Sequence, residues 1–158
     1  MYKRALVPLD GSMVAEAIVP FVLEIAGPLD MEVVVVRVVA PAPPLVVEGS
    51  VHVVVEDLDR QRMDAEEYLA AIAASLRAKG VRATTQARQG PVVAEILAAA
   101  READADLIAM TTHGRGGLGR VLFGSIAEAV LRQAEVPVFL MRQTSQQVAA
   151  RAAWEAVR

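Results

Sequence analysis

Hydrophobic positions along the chain alternate between two spacings, one typical of strands and one typical of helices. The first apolar run, Lys3–Leu9, ends at an Asp-Gly-Ser turn that also suits a helix N-cap. The second run, Met31–Val39, is rich in valine without polar alternation, the pattern of a strand covered on both faces in a parallel sheet. Between these runs, a three- to four-residue spacing predicts one buried helix face, made of Val14, Ile18, Phe21, Val22 and Ile25.

The same alternation of strands and helices continues along the chain. Segment 41–55 is rich in proline at its start and predicts a loop without defined form. The elements predicted after it are a helix over Glu56–Lys79, an edge strand over Val81–Arg88, a helix from Gly90-Pro91, a strand over Leu107–Met110, a helix from Gly124 to Ala134 and a strand over Val136–Leu140. Because strands joined by helices form right-handed parallel crossovers, we predict an α/β fold: a single doubly wound domain whose five-stranded parallel sheet has the order 3-2-1-4-5, with helices on both faces.

Composition narrows the classes of function. The net charge of -3 over 158 residues gives no basic field, so we expect no nucleic-acid partner. The chain has no cysteine, which excludes disulfides, a thiol nucleophile and Cys-zinc sites and suits a reducing cytoplasm. No apolar run approaches the roughly 20 residues of a membrane helix or forms a signal sequence. We therefore expect a cytoplasmic protein without a membrane partner.

The segment after the fourth predicted strand, Met110–Ser125, is rich in glycine and leads into a helix, a setting that favours phosphate binding. Gly114-x-Gly116-x-x-Gly119 matches a dinucleotide fingerprint literally, but that fingerprint belongs after the first strand. Its acidic residue, Glu135, would precede the next strand instead of following it. The Walker pattern fails as well, because Arg120 and Val121 stand where lysine and Ser/Thr are required.

A longer pattern remains in this segment. Gly114-x9-Gly124-Ser125 follows Thr-His-Gly-Arg and precedes Ile-Ala-Glu-Ala-Val-Leu and Val-Pro-Val. Together with the opening Val-Pro-Leu-Asp-Gly-Ser and Gly90-x4-Glu95-Ile96, it resembles the ATP-binding branch of the universal stress protein family. The family motif is Gly-x2-Gly-x9-Gly-Ser/Thr, and its first glycine falls on Thr111, whose side chain restricts φ and adds bulk.

The resemblance extends over roughly Tyr2–Arg142. It implies a nucleotide-binding domain over residues 1–142, followed by a tail over 143–158 with the spacing of a short helix. It also implies a site at the carboxyl ends of the strands, where ligands of open α/β sheets bind. The residues assigned to adenine, ribose and the floor are Pro8, Leu9, Asp10, Val38, Met110 and Thr111. Those assigned to the phosphates are Gly114, Gly124, Ser125 and the backbone of Ile126.

Several of these residues also have a purely structural interpretation. Asp10 before glycine fits a turn or a helix cap as well as a ribose acceptor, and one side chain can serve both. Arg115 fits either phosphate neutralisation or surface solvation. His113 has no Ser-His-Asp spacing around it, and the acids near His52 fit no ligand pattern, so we predict neither a catalytic residue nor a metal site.

The resemblance implies an ATP-binding regulator of the stress response, with Mg²⁺ bridging the phosphates. Hydrolysis is expected to be slow or absent, because the sequence shows neither a Walker lysine nor a general base. We also expect a homodimer that pairs through the last strand, Val136–Met141. Two alternatives remain: a stress-associated dimer that binds no nucleotide, favoured by Thr111, and an adenylating enzyme of the adenine-nucleotide α-hydrolase type.

Overall fold

The computed structural model describes residues 2–41, 45–47, 50–52, 58–112 and 124–142. These residues form seven strands and five helices. The strands are β1 (Arg4–Pro8), β2 (Glu32–Val39), β3 (Leu45–Val47), β4 (Ser50–His52), β5 (Ala83–Gln89), β6 (Leu107–Thr112) and β7 (Val138–Arg142). The helices are α1 (Met13–Glu16), α2 (Ile18–Ala26), α3 (Leu58–Ala78), α4 (Val92–Glu102) and α5 (Ser125–Gln133). No helix within the described ranges is long and apolar enough to cross a membrane.

The main sheet has five strands in the order β5-β2-β1-β6-β7, and every neighbouring pair is parallel. The predicted doubly wound sheet of order 3-2-1-4-5 is therefore confirmed. The strand order reverses between β1 and β6, where Ala5 lies opposite Leu107 and Leu6 opposite Ile108. Such a reversal opens a crevice at the carboxyl ends of the two strands.

Helices cover both faces of this sheet and enclose two separate apolar cores. On one face, the side chains of α2 and α3 pack against alternate residues of the strands, including Val7, Val35 and Ala109. On the other face, α4 and α5 pack against the intervening residues, including Leu6, Val36 and Met110. Val33–Val36 are all at most 2% exposed, as expected for a valine-rich strand covered on both faces.

The structure differs from the sequence predictions in two places. The first predicted helix is divided into α1 and α2 at Ala17. Pro20 accounts for this break, because proline has no N–H and its ring clashes with the carbonyl four residues earlier, that of Glu16. The segment predicted as a loop contains the antiparallel hairpin β3-β4, in which Val46 pairs with Val51.

Candidate functional site

A cavity of about 360 Å³ opens at the carboxyl ends of β1 and β6, where the strand order reverses. It lies on the side of the sheet that α4 and α5 cover, since these two helices supply part of its wall. The residues that line it are Pro8, Leu9, Asp10, Ala15, Val36, Val38, Val92, Ile96, Met110, Thr111, Gly124, Ser125, Ile126 and Ala127.

All the predicted site residues within the described ranges lie around this one cavity: Pro8, Leu9, Asp10, Val38, Met110, Thr111, Gly124, Ser125 and Ile126. Gly114 and Arg115, together with His113, fall in 113–123, outside the described residues. The structure thus brings together four stretches that are separated in sequence, at the ends of β1, β2 and β6 and at the start of α5.

Sequence reasoning missed five lining residues, namely Ala15, Val36, Val92, Ile96 and Ala127. Their periodicity indicates burial but does not show which end of the sheet they face. The Gly90-Pro91 pair carries a usable signal, because it begins α4 directly after β5 and so puts the first turns of α4 at the carboxyl edge.

The floor of the cavity is apolar. Met110 is 7% exposed and Ile96 is 2% exposed, and Val38 packs beside them in the same core. Apolar surfaces of this kind suit a planar ring system, which gains from burial without requiring a polar partner at every edge.

The turn after β1 places a carboxylate at the rim. One carboxylate oxygen of Asp10, Oδ1, accepts a 2.8 Å hydrogen bond from the N–H of Ser12. The hydroxyl of Ser12 caps α1 by accepting a 3.1 Å bond from the N–H of Ala15. Asp10 is nevertheless exposed, and it lines the cavity. The turn interpretation of Asp10 is confirmed, and the geometry leaves it able to accept a further hydrogen bond.

The start of α5 forms a second polar edge. Gly124 is the N-cap and has no side chain to cap the helix, while its carbonyl accepts the 3.0 Å bond from the N–H of Glu128. The N–H groups of Ser125, Ile126 and Ala127 precede the first intrahelical donor, so they have no acceptor within the helix. Unsatisfied donors and the positive end of the helix dipole both favour an anion at this place.

Thr111 forms the boundary between the cavity and α1. It is 8% exposed, and its hydroxyl donates a 3.4 Å hydrogen bond to the carbonyl of Ala15. This contact ties the end of β6 to the helix that follows the Asp10 turn.

Beside the cavity, an ion-pair network fixes the start of α4 to the edge strand. Arg88 contacts Glu95 at 2.8 Å and Glu102 at 2.7 Å. The hydrogen bonds to Glu102 and then Glu95 raise the pKa of Arg88 above its usual range. The hydrogen bond from Arg88 in turn lowers the pKa of Glu102. Glu95 also lies against Gly90, whose φ of +142° favours glycine.

The described lining of this cavity is mostly apolar. Among its described lining residues, Asp10 is the only ionisable one. No cluster of three His, Cys, Asp or Glu side chains suited to a metal ion occurs within the described ranges. An apolar slot with one carboxylate at one edge, and at another edge backbone donors that have no acceptor within their own helix, can hold a ligand that combines a flat ring, hydroxyl groups and an anion.

Comparison with known proteins identifies the family. The sequence model of the universal stress protein family matches residues 1–142. A universal stress protein of Methanocaldococcus jannaschii is 34% identical over 145 residues, which cover 90% of this chain and 84% of that protein.

Solved structures have the same fold. A universal stress family protein from Burkholderia pseudomallei aligns with a TM-score of 0.67 and 27% identity, covering 89% of this chain and 96% of its own. A universal stress protein from Archaeoglobus fulgidus, solved in complex with dAMP, aligns with a TM-score of 0.62 and 23% identity, covering 88% and 97%. The family match over residues 1–142 and the 34% identity to the M. jannaschii protein establish that this chain belongs to the universal stress protein family.

Proposed function

We propose that the cavity at the carboxyl ends of β1 and β6 binds ATP and that occupancy regulates the protein's role in stress. The observation that carries this proposal is the arrangement of three unlike surfaces around one opening. An apolar floor lies between an exposed carboxylate, that of Asp10, and the uncapped N-terminus of α5. Adenine, ribose and phosphate need these three environments in turn.

The residues present fit each part of the nucleotide. Val38, Met110 and Ile96 would pack against the adenine ring. The free oxygen of Asp10 would accept a hydrogen bond from a ribose hydroxyl, while Oδ1 stays with the N–H of Ser12. The backbone donors at Ser125 and Ile126 would hold the phosphates.

A Mg²⁺ ion in this cavity would be bound mainly by the phosphates and not by protein side chains. Magnesium commonly keeps several waters and binds through substrate phosphates with few carboxylates. Asp10, the only carboxylate in the described lining, is assigned to the ribose in this proposal. The metal would therefore neutralise phosphate charge at the α5 end of the cavity.

The complex of the A. fulgidus fold relative with dAMP supports an adenine nucleotide as the ligand class. The described cavity residues also favour retention of the nucleotide over its cleavage. General-base catalysis needs a group within hydrogen-bond reach of the attacking water, and the only carboxylate there is at the ribose end. We accordingly propose a cytoplasmic regulator that hydrolyses ATP slowly or not at all.

Titration calorimetry with Mg-ATP tests the proposed site. Ser125→Ala removes a hydroxyl at the first turn of α5, and Gly124→Val restricts the backbone at its N-cap. We expect Gly124→Val to weaken binding about tenfold or more through added bulk at the N-cap, and Ser125→Ala to weaken it about tenfold or more through the loss of one hydrogen bond to a charged group. Ser75→Ala on α3, away from the cavity, is the matched control and should bind normally. Wild-type affinity in both site variants would refute the assignment.

A homodimer through β7 is the second part of the proposal. β7 is an edge strand, and its residues Val138, Phe139 and Leu140 are each partly exposed. An apolar edge with unpaired backbone groups favours pairing with a second copy. Light scattering that gives a monomeric mass at micromolar concentration would refute it.

A stress-associated dimer that binds no nucleotide is the competing function. The bulkier Thr111 in place of the family glycine favours it, since its side chain is buried beside the cavity. The same calorimetric titration separates the two functions, because the competing one predicts no heat of binding in the wild type.

A further inference from the structure

Arg37 interrupts the valines of β2, and its guanidinium lies against the turn that carries Asp10. Gly11 adopts a φ of +83°, and a Cβ added there would lie 3.3 Å from Cζ and Nη2 of Arg37. The guanidinium is therefore packed directly on the backbone of Gly11. The N–H of Leu9, two residues before Gly11, donates a 2.8 Å hydrogen bond to the carbonyl of Val36, one residue before Arg37. This bond fixes the end of β1 to β2 next to the contact between Arg37 and Gly11.

A second contact of Arg37, with Tyr68, connects it indirectly to the same turn. Its Cζ lies 5.2 Å from the centre of the Tyr68 ring on α3, within the range of a cation–π interaction. The hydroxyl of Tyr68 donates a 3.0 Å bond to Glu16, a glutamate that is only 8% exposed. The N–H of Glu16 donates a 3.1 Å bond to the carbonyl of Ser12.

These contacts form a closed circuit around the Asp10 turn, running from Gly11 to Arg37, Tyr68 and Glu16 and back to Ser12. Each link joins a different element, so the turn is held by β2 and α3 as well as by its own hydrogen bonds. A carboxylate on a turn held from two sides keeps its orientation, and hydrogen-bond strength depends steeply on orientation.

We propose that Arg37 is a positioning residue that sets the preference of the site for ribose over a sugar that lacks both the 2′ and 3′ hydroxyl groups. This inference rests on the proposed nucleotide function, in which Asp10 accepts a hydrogen bond from a ribose hydroxyl. Arg37 lies on the α3 side of β2, opposite to Val38, and acts on the ligand only through the placement of Asp10. Its loss should therefore change the recognition of hydroxyl groups and leave the recognition of adenine and phosphate largely intact.

The test compares the affinities of ATP and 2′,3′-dideoxy-ATP in calorimetric titrations. A hydrogen bond to a charged group makes the wild type prefer ATP by about tenfold or more. Arg37→Met keeps an unbranched, flexible side chain, shorter than that of arginine, and removes the planar cation. We expect it to reduce the preference to about twofold by weakening ATP binding, while the affinity for dideoxy-ATP changes by less than about twofold. Arg37→Lys retains a cation over the Tyr68 ring and should give an intermediate preference.

Arg82→Met is the matched control, because Arg82 pairs with Asp30 at the opposite end of the sheet. It should retain the full preference for ATP. Urea unfolding of each variant shows whether it is folded, and Arg37→Lys carries the test should Arg37→Met unfold.

The outcomes separate this inference from the function on which it rests. If the wild type binds ATP with a clear preference that Arg37→Met and Arg37→Lys retain, the role of Arg37 is overturned and the proposed function stands. Equal binding of the two nucleotides by the wild type overturns the ribose contact of Asp10 and with it the role of Arg37. If the wild type binds neither nucleotide, the proposed function fails as well.

Discussion

Gly11 and Gly80 offer a paired measurement of how firmly the Asp10 turn is held. Both residues have a φ of +83°, where an added Cβ is strained by about 1–2 kcal/mol. A Gly→Ala change also restricts the unfolded chain, which offsets about 0.4–1 kcal/mol of this strain at either position. The two sites differ in their surroundings: a Cβ at Gly11 would meet Arg37 at 3.3 Å, whereas a Cβ at Gly80 would meet nothing within 4 Å.

Gly80→Ala should therefore lower the free energy of unfolding by about 1 kcal/mol, the strain less the offset. Gly11→Ala should lower it further, by about 0.5 kcal/mol, because the far end of the Arg37 side chain must shift to make room for the Cβ. Urea unfolding at neutral pH measures both values. Introducing Gly11→Ala into an Arg37→Met background should reduce the additional cost, because the more flexible thioether chain moves aside more easily.

The result that would refute this reasoning is an equal loss of stability for Gly11→Ala and Gly80→Ala. It would mean that the guanidinium yields without cost and does not restrain the turn. A larger loss at Gly80 would be more damaging, because it would show that helix termination at the end of α3, where the N–H of Gly80 bonds to the carbonyl of Arg77, dominates over the contact at Gly11.

Two further predictions concern contacts away from the cavity floor. The pKa of Glu102 is lowered from 4.5 by its hydrogen bond from Arg88, so the stabilisation from this pair is present above about pH 4.5 and is lost as the pH falls through the lower folded-state pKa. Thermal unfolding of Glu102→Gln against the wild type should show a gap that closes in acid, and a gap independent of pH would contradict this. The rings of Phe21 and Phe139 stack at 4.8 Å and 7°, so a double-mutant cycle of Phe21→Leu with Phe139→Leu should give a coupling energy of about 0.5–1.5 kcal/mol in urea unfolding. A coupling near zero would show that the stacked geometry adds nothing to burial.

The fold was predictable because the sequence patterns are local and agree with one another. The valine run of β2 and the single wet face of the edge strand β5 each indicate a place in the sheet before any contact is known. Pro20 could have predicted the division between α1 and α2. The helical spacing of apolar residues continues past this proline, however, so the spacing alone predicts one helix. The β3-β4 hairpin pairs three residues with three, which is too short for a clear alternation to develop.

The site was predictable only in part, because the residues that line a cavity come from several elements, and the sequence does not show how these elements pack together. Strand ends and the glycine at the start of α5 are where the family motifs fall, and the resemblance to the family assigned Asp10, Val38 and Gly124. Ile96 is recognisable as a buried helix position, yet only the packing of α4 on β2 shows that it faces the opening. The contact of Arg37 with Tyr68 spans two elements and leaves no pattern along the chain.

Thr111 stands where the family motif has its first glycine, and its contacts indicate how this replacement affects nucleotide affinity. Along β6 the side chains alternate: Met110 packs with the α4 and α5 core, whereas Thr111 reaches the carbonyl of Ala15 beyond the other face. Thr111 is not among the residues with positive φ, so its backbone has an extended strand conformation that does not require glycine. The backbone groups of Thr111 thus stay at the cavity edge, while its hydroxyl is held against the carbonyl of Ala15, which also lines the cavity.

Thr111→Gly should consequently change the affinity for ATP by less than about threefold, well below the effect expected for a lost hydrogen bond to a charged group. It should instead destabilise the protein by at least about 0.5–1 kcal/mol, the entropic cost of glycine in a strand, with a further loss from the buried side chain. Calorimetry and urea unfolding measure the two effects separately. A gain in affinity of more than about tenfold would show that the threonine obstructs the site, and it would favour the function without nucleotide for the natural chain. The hydroxyl contact with Ala15 predicts the opposite: the family glycine is replaceable at this position, because the threonine hydroxyl is held at the cavity wall by the carbonyl of Ala15.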